Sequence, residues 1–217
     1  MYFPTEKHEE YIEYIKKACN QNCLSLVLEG SLAHGTAKPF SDIDLILYGN
    51  INSKILDDII SGYDNIVITN LTENPMGIYI LNYENRISVD LDIRKCVLSS
   101  EIDNNVILCN YGFKIAEDIK RSVIISRLMP ERPQWYRTIR LIHRCCIKFL
   151  CGKTDSAKGL ADEVCNAVYA LTNQNILKSG SIKQRMKDSL QYLNHFYFID
   201  KSIIDLLEEL FQEMDYV

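Results

Sequence analysis

The stretch LEGSLAHGTAKPFSDIDLILYG, residues 28–49, decides how the chain is read. An apolar run ends on Gly30-Ser31, and after ten intervening residues a second apolar run opens with Asp42 and Asp44, one residue apart. Side chains alternate along a strand, so the two carboxylates share one face while Ile43 and Leu45 take the other. The segment RISVDLDIRK, residues 86–95, repeats the arrangement: Ile87, Val89, Leu91 and Ile93 form an apolar face, and Asp90 and Asp92 project opposite. Neighbouring strands that aim carboxylates at one another repel, and a divalent cation relieves the repulsion. Mg²⁺ takes oxygen ligands, usually one or two carboxylates plus the phosphates of a substrate. A glycine ahead of a helix N-terminus lets backbone N–H groups approach a phosphate, and Ser31 adds a hydroxyl. Strand, Gly-Ser, short helix and Asp-x-Asp strand together describe a triphosphate cradle facing a metal site. For Asp42 and Asp44 alone, a turn or helix cap after PFS is the competing reading; the Gly-Ser pair and the second acidic strand weigh against it.

Outward from this stretch, the chain separates into two halves. TEKHEEYIEYIKKACN, residues 5–20, has a Thr cap candidate and apolar residues at helical spacing. CLSLVLEG and DIDLILYG read as strands, SLAHG between them as one or two helical turns, and NSKILDDIISG as a short helix. NIVIT, GIYILNY and RISVDLDIRK follow as strands, then NNVILCNYG as a short strand and turn. After about residue 115 the period becomes helical in AEDIKRSVIISRLM, RPQWYRTIRLIHRCCIKFL, DSAKGLADEVCNAVYALTNQNIL, IKQRMKDSLQYLNHF and DKSIIDLLEELFQEM. Pro130, Pro133, Gly152 and the SGS at 179–181 punctuate these segments. The expected architecture is an α/β (α+β) domain with a mixed sheet over residues 1–115, followed by an all-α helical bundle over 116–217.

Composition narrows the function classes. With 217 residues, 47% hydrophobic and 24% charged, the chain can bury one large core or two small ones. A formal net charge of −5 argues against a general nucleic-acid binder, which displays a basic face, and leaves room only for a local basic groove. The eight cysteines include no Cys-x-x-Cys pair, and His8, His34, His143 and His195 are scattered, which argues against zinc. Cys19, Cys96, Cys145, Cys146, Cys151 and Cys165 fall in or beside apolar segments, where a thiol behaves as a small hydrophobe. The opening MYFPTEKHEE is charged, without a signal-type apolar run. No segment approaches the ~18 apolar residues of a membrane span. The expectation is a soluble protein of a reducing compartment, most simply the cytoplasm.

Gly30-Ser31, ten residues, then Asp42-Ile43-Asp44 resembles the signature of the DNA polymerase β-like nucleotidyltransferase superfamily, with VDL at 89–91 where that family carries a third carboxylate. The helical second half resembles the bundle of aminoglycoside and lincosamide nucleotidyltransferases and would be the acceptor-binding domain. The resemblance implies transfer of a nucleoside monophosphate, AMP first among the choices, from ATP or another nucleoside triphosphate to a hydroxyl of a small acceptor. It implies two Mg²⁺ ions held by Asp42, Asp44 and a third acid, with Gly30 and Ser31 at the phosphates. Asp90 matches the third acid better, because it follows a β-branched residue; Asp92 stands as a spare ligand, as the true third acid, or as a solvated strand residue. Many relatives have an arginine where this chain has His34. His34 reads equally as a phosphate contact or as a solvated loop residue, and Arg86, Arg94 or a bundle lysine among Lys148, Lys153 and Lys158 is the alternative contact.

Two other functions compete. A polymer acceptor, tRNA or protein, would use a basic track, and Arg137, Arg140 and Arg144 share a helical face in RPQWYRTIRLIHRCCIK. A non-catalytic nucleotide sensor would more readily have lost one of the acids than kept them all. Asp162 and Glu163, within LADEVCNAVY, read either as a general base toward an acceptor or as a solvated face. Trp135, Tyr136 and His143 read as core at helical spacing more readily than as a ligand platform. A homodimer is compatible with a bundle that has apolar surface to spare.

Overall fold

The two strands that carry the Asp-x-Asp patterns lie side by side in the middle of one mixed sheet. The computed structural model describes residues 2–73, 75–130 and 132–216. In chain order the elements are α1 (Glu6–Gln21), β1 (Ser25–Glu29), α2 (Gly30–Ala33), β2 (Ile43–Tyr48), α3 (Ser53–Ser61), β3 (Ile66–Glu73), β4 (Met76–Tyr83), β5 (Ser88–Cys96), α4 (Ser99–Asp103), β6 (Val106–Cys109) and β7 (Lys120–Arg121). They are followed by α5 (Gln134–Leu150), α6 (Thr154–Thr172), α7 (Ile182–Phe196) and α8 (Lys201–Glu213). The sheet order is β3-β4-β5-β2-β1-β6, with β7 added against β5. All named strand pairs are antiparallel except β2–β5, which is parallel, the chain returning through α3, β3 and β4.

Alternation along the strands sorts the two faces. Leu45 and Leu47 of β2, Leu26 and Leu28 of β1, and Val89, Leu91 and Ile93 of β5 are buried in one cluster with Tyr11, Ile12 and Ile15 of α1 and Leu56, Ile59 and Ile60 of α3. The opposite face carries the acids and a smaller apolar cluster of Val27, Ile46 and Val97. Local chemistry places the helix ends: the Asn52 side chain caps α3 by accepting from Ile55 N–H at 2.9 Å. The β4–β5 turn is closed by Ile87 and Tyr83 backbone bonding, with Arg86 at φ +75°.

One sequence expectation fails. AEDIKRSVIISRLM is not a helix: Lys120–Arg121 pair with β5, and the rest is irregular. Its apolar residues are claimed by the sheet instead. Ile124, Leu128 and Met129 pack on the main core. The Tyr79 hydroxyl accepts from Ile124 N–H and donates to Ile124 O, both at 2.7 Å. Ser126 donates to Asp57 at 2.6 Å and Thr69 to Leu128 O at 3.4 Å. These tertiary bonds satisfy a backbone that a helix would otherwise satisfy internally. By its contacts the chain divides into two compact units, one ending at Pro130 and the other following it.

The second unit is helical, with α5 packed on α6, α7 and α8. Its buried residues include Ile139, Ile142, Val164, Val168, Leu190, Leu193, Leu206, Leu210 and Phe211. The mixed-sheet domain and the helical second half are thus both as expected. Burial pushes the thiols of Cys19 and Cys145 up to about 12, so they serve as apolar packing groups rather than nucleophiles. Among the described residues no helix is long and apolar enough to cross a membrane.

Candidate active site

The parallel register of β2 and β5 sets Asp44 directly beside Asp90, at the roughly 5 Å spacing of neighbouring strands. On the other side of β2, the antiparallel register of β1 sets Glu29 beside Asp44. Glu29, Asp44 and Asp90 therefore form one row across three strands, on the face away from the main core. Asp42 lies one residue before β2 begins, in the loop that enters the strand. All four are partly exposed.

The Gly-Ser turn is joined to this row by contact. Gly30 follows β1 with a φ of +65°, and a Cβ built on it would collide with the Asp44 carboxylate at Oδ2. Only glycine combines that left-handed backbone with that closeness. Ser31 is the second residue of α2, and its carbonyl accepts from Thr36 N–H at 2.9 Å. His34 caps the far end of α2, exposed, with its backbone N–H on Gly30 O at 3.2 Å.

Below the row lies a buried ion network. Asp92 is 5% exposed and Arg94 4%. Arg121 Nε donates to Asp92 Oδ2 at 2.8 Å. Arg94 Nε also lies 2.8 Å from Asp92 Oδ2, and Arg94 Nη1 lies 2.9 Å from Glu101 Oε1. Those two Arg94 approaches are ion pairs without hydrogen-bond angles, and among the described residues Asp92 Oδ1 has no hydrogen-bond partner. Glu101 also accepts from Leu98 N–H at 2.8 Å, fixing the start of α4. Asn105 bridges Glu101 O and Glu29 Oε1, at 2.9 and 3.1 Å. Burial pushes the Glu29 carboxyl above its ordinary value; repulsion from Glu101, Asp44 and Asp92 adds to this, and Arg94 opposes it.

Glu29 and this network were missed in the sequence. The signal for Glu29 was present in the alternation of β1, where Val27 and Glu29 face away from Leu26 and Leu28. Placing it beside Asp44 required the register of β1 on β2. The sequence pattern leaves Asp92 as a ligand, the third acid or a solvated residue; the fold buries it against Arg94 and Arg121. In the second unit, Lys158 lies on α6, largely exposed and 3.8 Å from Asp155. Asp162, weighed as a general base, is paired with the buried Arg185 of α7. Trp135 stacks on Tyr197 with centroids 5.7 Å apart.

Residues 12–103 match the family model of the nucleotidyltransferase domain. The match covers 92 of the chain's 217 residues, all within the first unit. The matched stretch of this domain contains Gly30, Ser31, Asp42, Asp44 and Asp90, in agreement with the superfamily resemblance of the motif. Similar solved structures include the STING-associated CdnE c-di-GMP synthase from Capnocytophaga granulosa, at 13% identity over 97% of this chain and 79% of that one, with a TM-score of 0.32. A CCA-adding enzyme in complex with CTP is 10% identical over 96% of this chain and 51% of that one, with a TM-score of 0.36. Spectinomycin adenyltransferase AAD(9) from Enterococcus faecialis, with ATP and spectinomycin, is 14% identical over 95% of this chain and 99% of that one, with a TM-score of 0.28. No curated protein matches the chain.

Among the described residues no three His, Cys, Asp or Glu side chains converge as a ready-made metal cage. Mg²⁺ does not require one, since waters and substrate phosphates complete its shell. The donor set at the row is all carboxylate oxygen, the chemistry Mg²⁺ prefers.

Proposed function

We propose that the protein is a Mg²⁺-dependent nucleotidyltransferase that moves a nucleoside monophosphate, AMP in the first instance, from a nucleoside triphosphate to a hydroxyl of a small acceptor of the aminoglycoside or lincosamide kind. The observation that carries the reading is the packing of the Asp44 carboxylate against Gly30, which makes the phosphate-type turn and the acidic row one site. Asp42, Asp44 and Asp90 would hold the metal. Asp90 is favoured as the third acid because Asp92 already answers to Arg94 and Arg121.

When bound, Mg²⁺ supplies charge stabilisation for the attacking and leaving oxygens. The remaining work falls to the chain's own residues. Ser31 donates its hydroxyl to the β- or γ-phosphate, with His34 as a neighbouring contact. Gly30 leaves the space in which the Asp44 carboxylate reaches the turn. Asp90 accepts the proton of the acceptor hydroxyl as the oxygen attacks the α-phosphorus, and pyrophosphate leaves. Orientation and charge neutralisation contribute most of the acceleration for this reaction class. The net charge of −5 favours a cationic acceptor, and the helical unit is assigned to binding it.

The test is pyrophosphate release with each nucleoside triphosphate in turn, with Mg²⁺, against aminoglycosides, lincosamides and bulk tRNA. Release that depends on one small molecule is the expected result. Release with tRNA alone would overturn the acceptor assignment in favour of a polymer.

A further inference from the structure

We infer that His8 is a positioning residue for the acidic site, acting through the Ser41 carbonyl to fix the peptide plane that carries Asp42. This rests on the reading of Asp42 as a metal ligand.

His8 is 1% exposed and belongs to the buried stripe of α1 with Tyr11, Ile12 and Ile15. An aliphatic side chain would fill such a position at no polar cost, whereas a buried imidazole is costly unless hydrogen-bonded. Both of its nitrogens are bonded. Nε2 lies 3.0 Å from Ser41 O, and Nδ1 lies 2.6 Å from Thr5 Oγ1. A carbonyl oxygen only accepts, so Nε2 carries the proton and donates to Ser41. In the neutral ring Nδ1 then accepts from the Thr5 hydroxyl. One tautomer satisfies the whole arrangement.

The Ser41 end is equally constrained. Ser41 N–H donates to Lys38 O and Ser41 Oγ accepts from Lys38 N–H, both at 2.9 Å. These bonds close the turn Lys38-Pro39-Phe40-Ser41. The Ser41 carbonyl and the Asp42 N–H belong to a single planar peptide unit. Holding the carbonyl oxygen therefore sets the direction in which the chain leaves toward Asp42. The segment from 35 to 42 lies outside any helix or strand, so this link to the rigid α1 supplies order that regular structure does not.

The test compares His8→Leu, which packs but cannot donate; His8→Gln, whose amide keeps a donor; Thr5→Val, which removes the hydroxyl that orients the ring; and Asp42→Ala. Mn²⁺ affinity is measured in the presence of a non-hydrolysable ATP analogue, alongside melting temperature. His8→Leu is expected to weaken Mn²⁺ binding by about tenfold or more, the usual effect of removing a residue that orients a ligand. His8→Gln should recover most of that loss, and Thr5→Val should show a smaller loss in the same direction. Should His8→Leu fail to fold, Thr5→Val decides: undiminished Mn²⁺ affinity there overturns the inference. Undiminished affinity in a folded His8→Leu, with affinity lost in Asp42→Ala, overturns the role of His8 alone. Undiminished affinity in both overturns the metal-ligand reading of Asp42 and the inference with it.

Discussion

Gly30 and Asp44 are packed so closely that a single methyl group on Gly30 would occupy the place of the Asp44 carboxylate. Gly30→Ala therefore carries two penalties. The left-handed backbone costs roughly 1–2 kcal/mol for a residue with a Cβ, and Asp44 must move. Displacement of a reacting or coordinating group by about 1 Å can cost on the order of 100-fold in rate. The expected result is a lower melting temperature and pyrophosphate release reduced by about that factor. Wild-type release from Gly30→Ala would separate the turn from the acidic row.

Metal addition tests the row itself. A ligand that binds only the folded state at about 100 times its dissociation constant stabilises by about 2.7 kcal/mol. Mg²⁺ with a non-hydrolysable ATP analogue should raise the melting temperature of the wild type, and chelation should reverse the rise. Asp44→Asn should abolish the Mg²⁺-dependent part, and Asp90→Asn should reduce it. An equal rise in all three proteins would place the metal elsewhere.

The strands and the acids were legible because their signals are local: period-two alternation and two carboxylates at i and i+2 need no partner to be seen. The row was only half legible. Asp44 and Asp90 could be named from their motif, as could Asp42 in the loop before β2, but Glu29 joins the row through strand register, which depends on which strands pair. Residues 116–129 show the opposite error. Their apolar spacing suits a helix, yet Tyr79, Thr69 and Asp57 bond the segment to the sheet domain, and tertiary contacts override local period. Asp92 could not be distinguished from Asp90 by pattern, since only Arg121, 29 residues away in sequence, and the fold around Arg94 mark it as buried.

Arg94 is the cation beneath the row, and its loss should be costly. Removing one partner of a buried ion pair leaves an uncompensated charge and typically costs about 3–5 kcal/mol. Arg94→Met removes the cation that Asp92 and Glu101 share and leaves Arg121 beside Asp92. Denaturation in urea, followed by a signal from the sheet domain, should show a large loss of stability. The double variant Arg94→Met, Asp92→Leu should recover part of it, because the stranded carboxylate is gone. A small effect from Arg94→Met alone would mean that Arg121 suffices for Asp92.

The buried imidazole of His8 makes a prediction about acid. Burial pushes its pKa below the ordinary value of 6.5, and the hydrogen bond to Ser41 offsets this only in part. The folded protein therefore binds this proton less readily than the unfolded chain does. Its contribution to stability is fully present above 6.5 and is lost as pH falls from there toward the lowered folded value. Melting temperatures of the wild type and His8→Gln, compared at about pH 7.5 and about pH 5.5, should show the wild type losing more on acidification. The difference between the two losses isolates His8 from the carboxylates, which titrate in both proteins. Parallel losses would mean that the ring is protonated in the folded state, with Nδ1 donating to a reversed Thr5 hydroxyl.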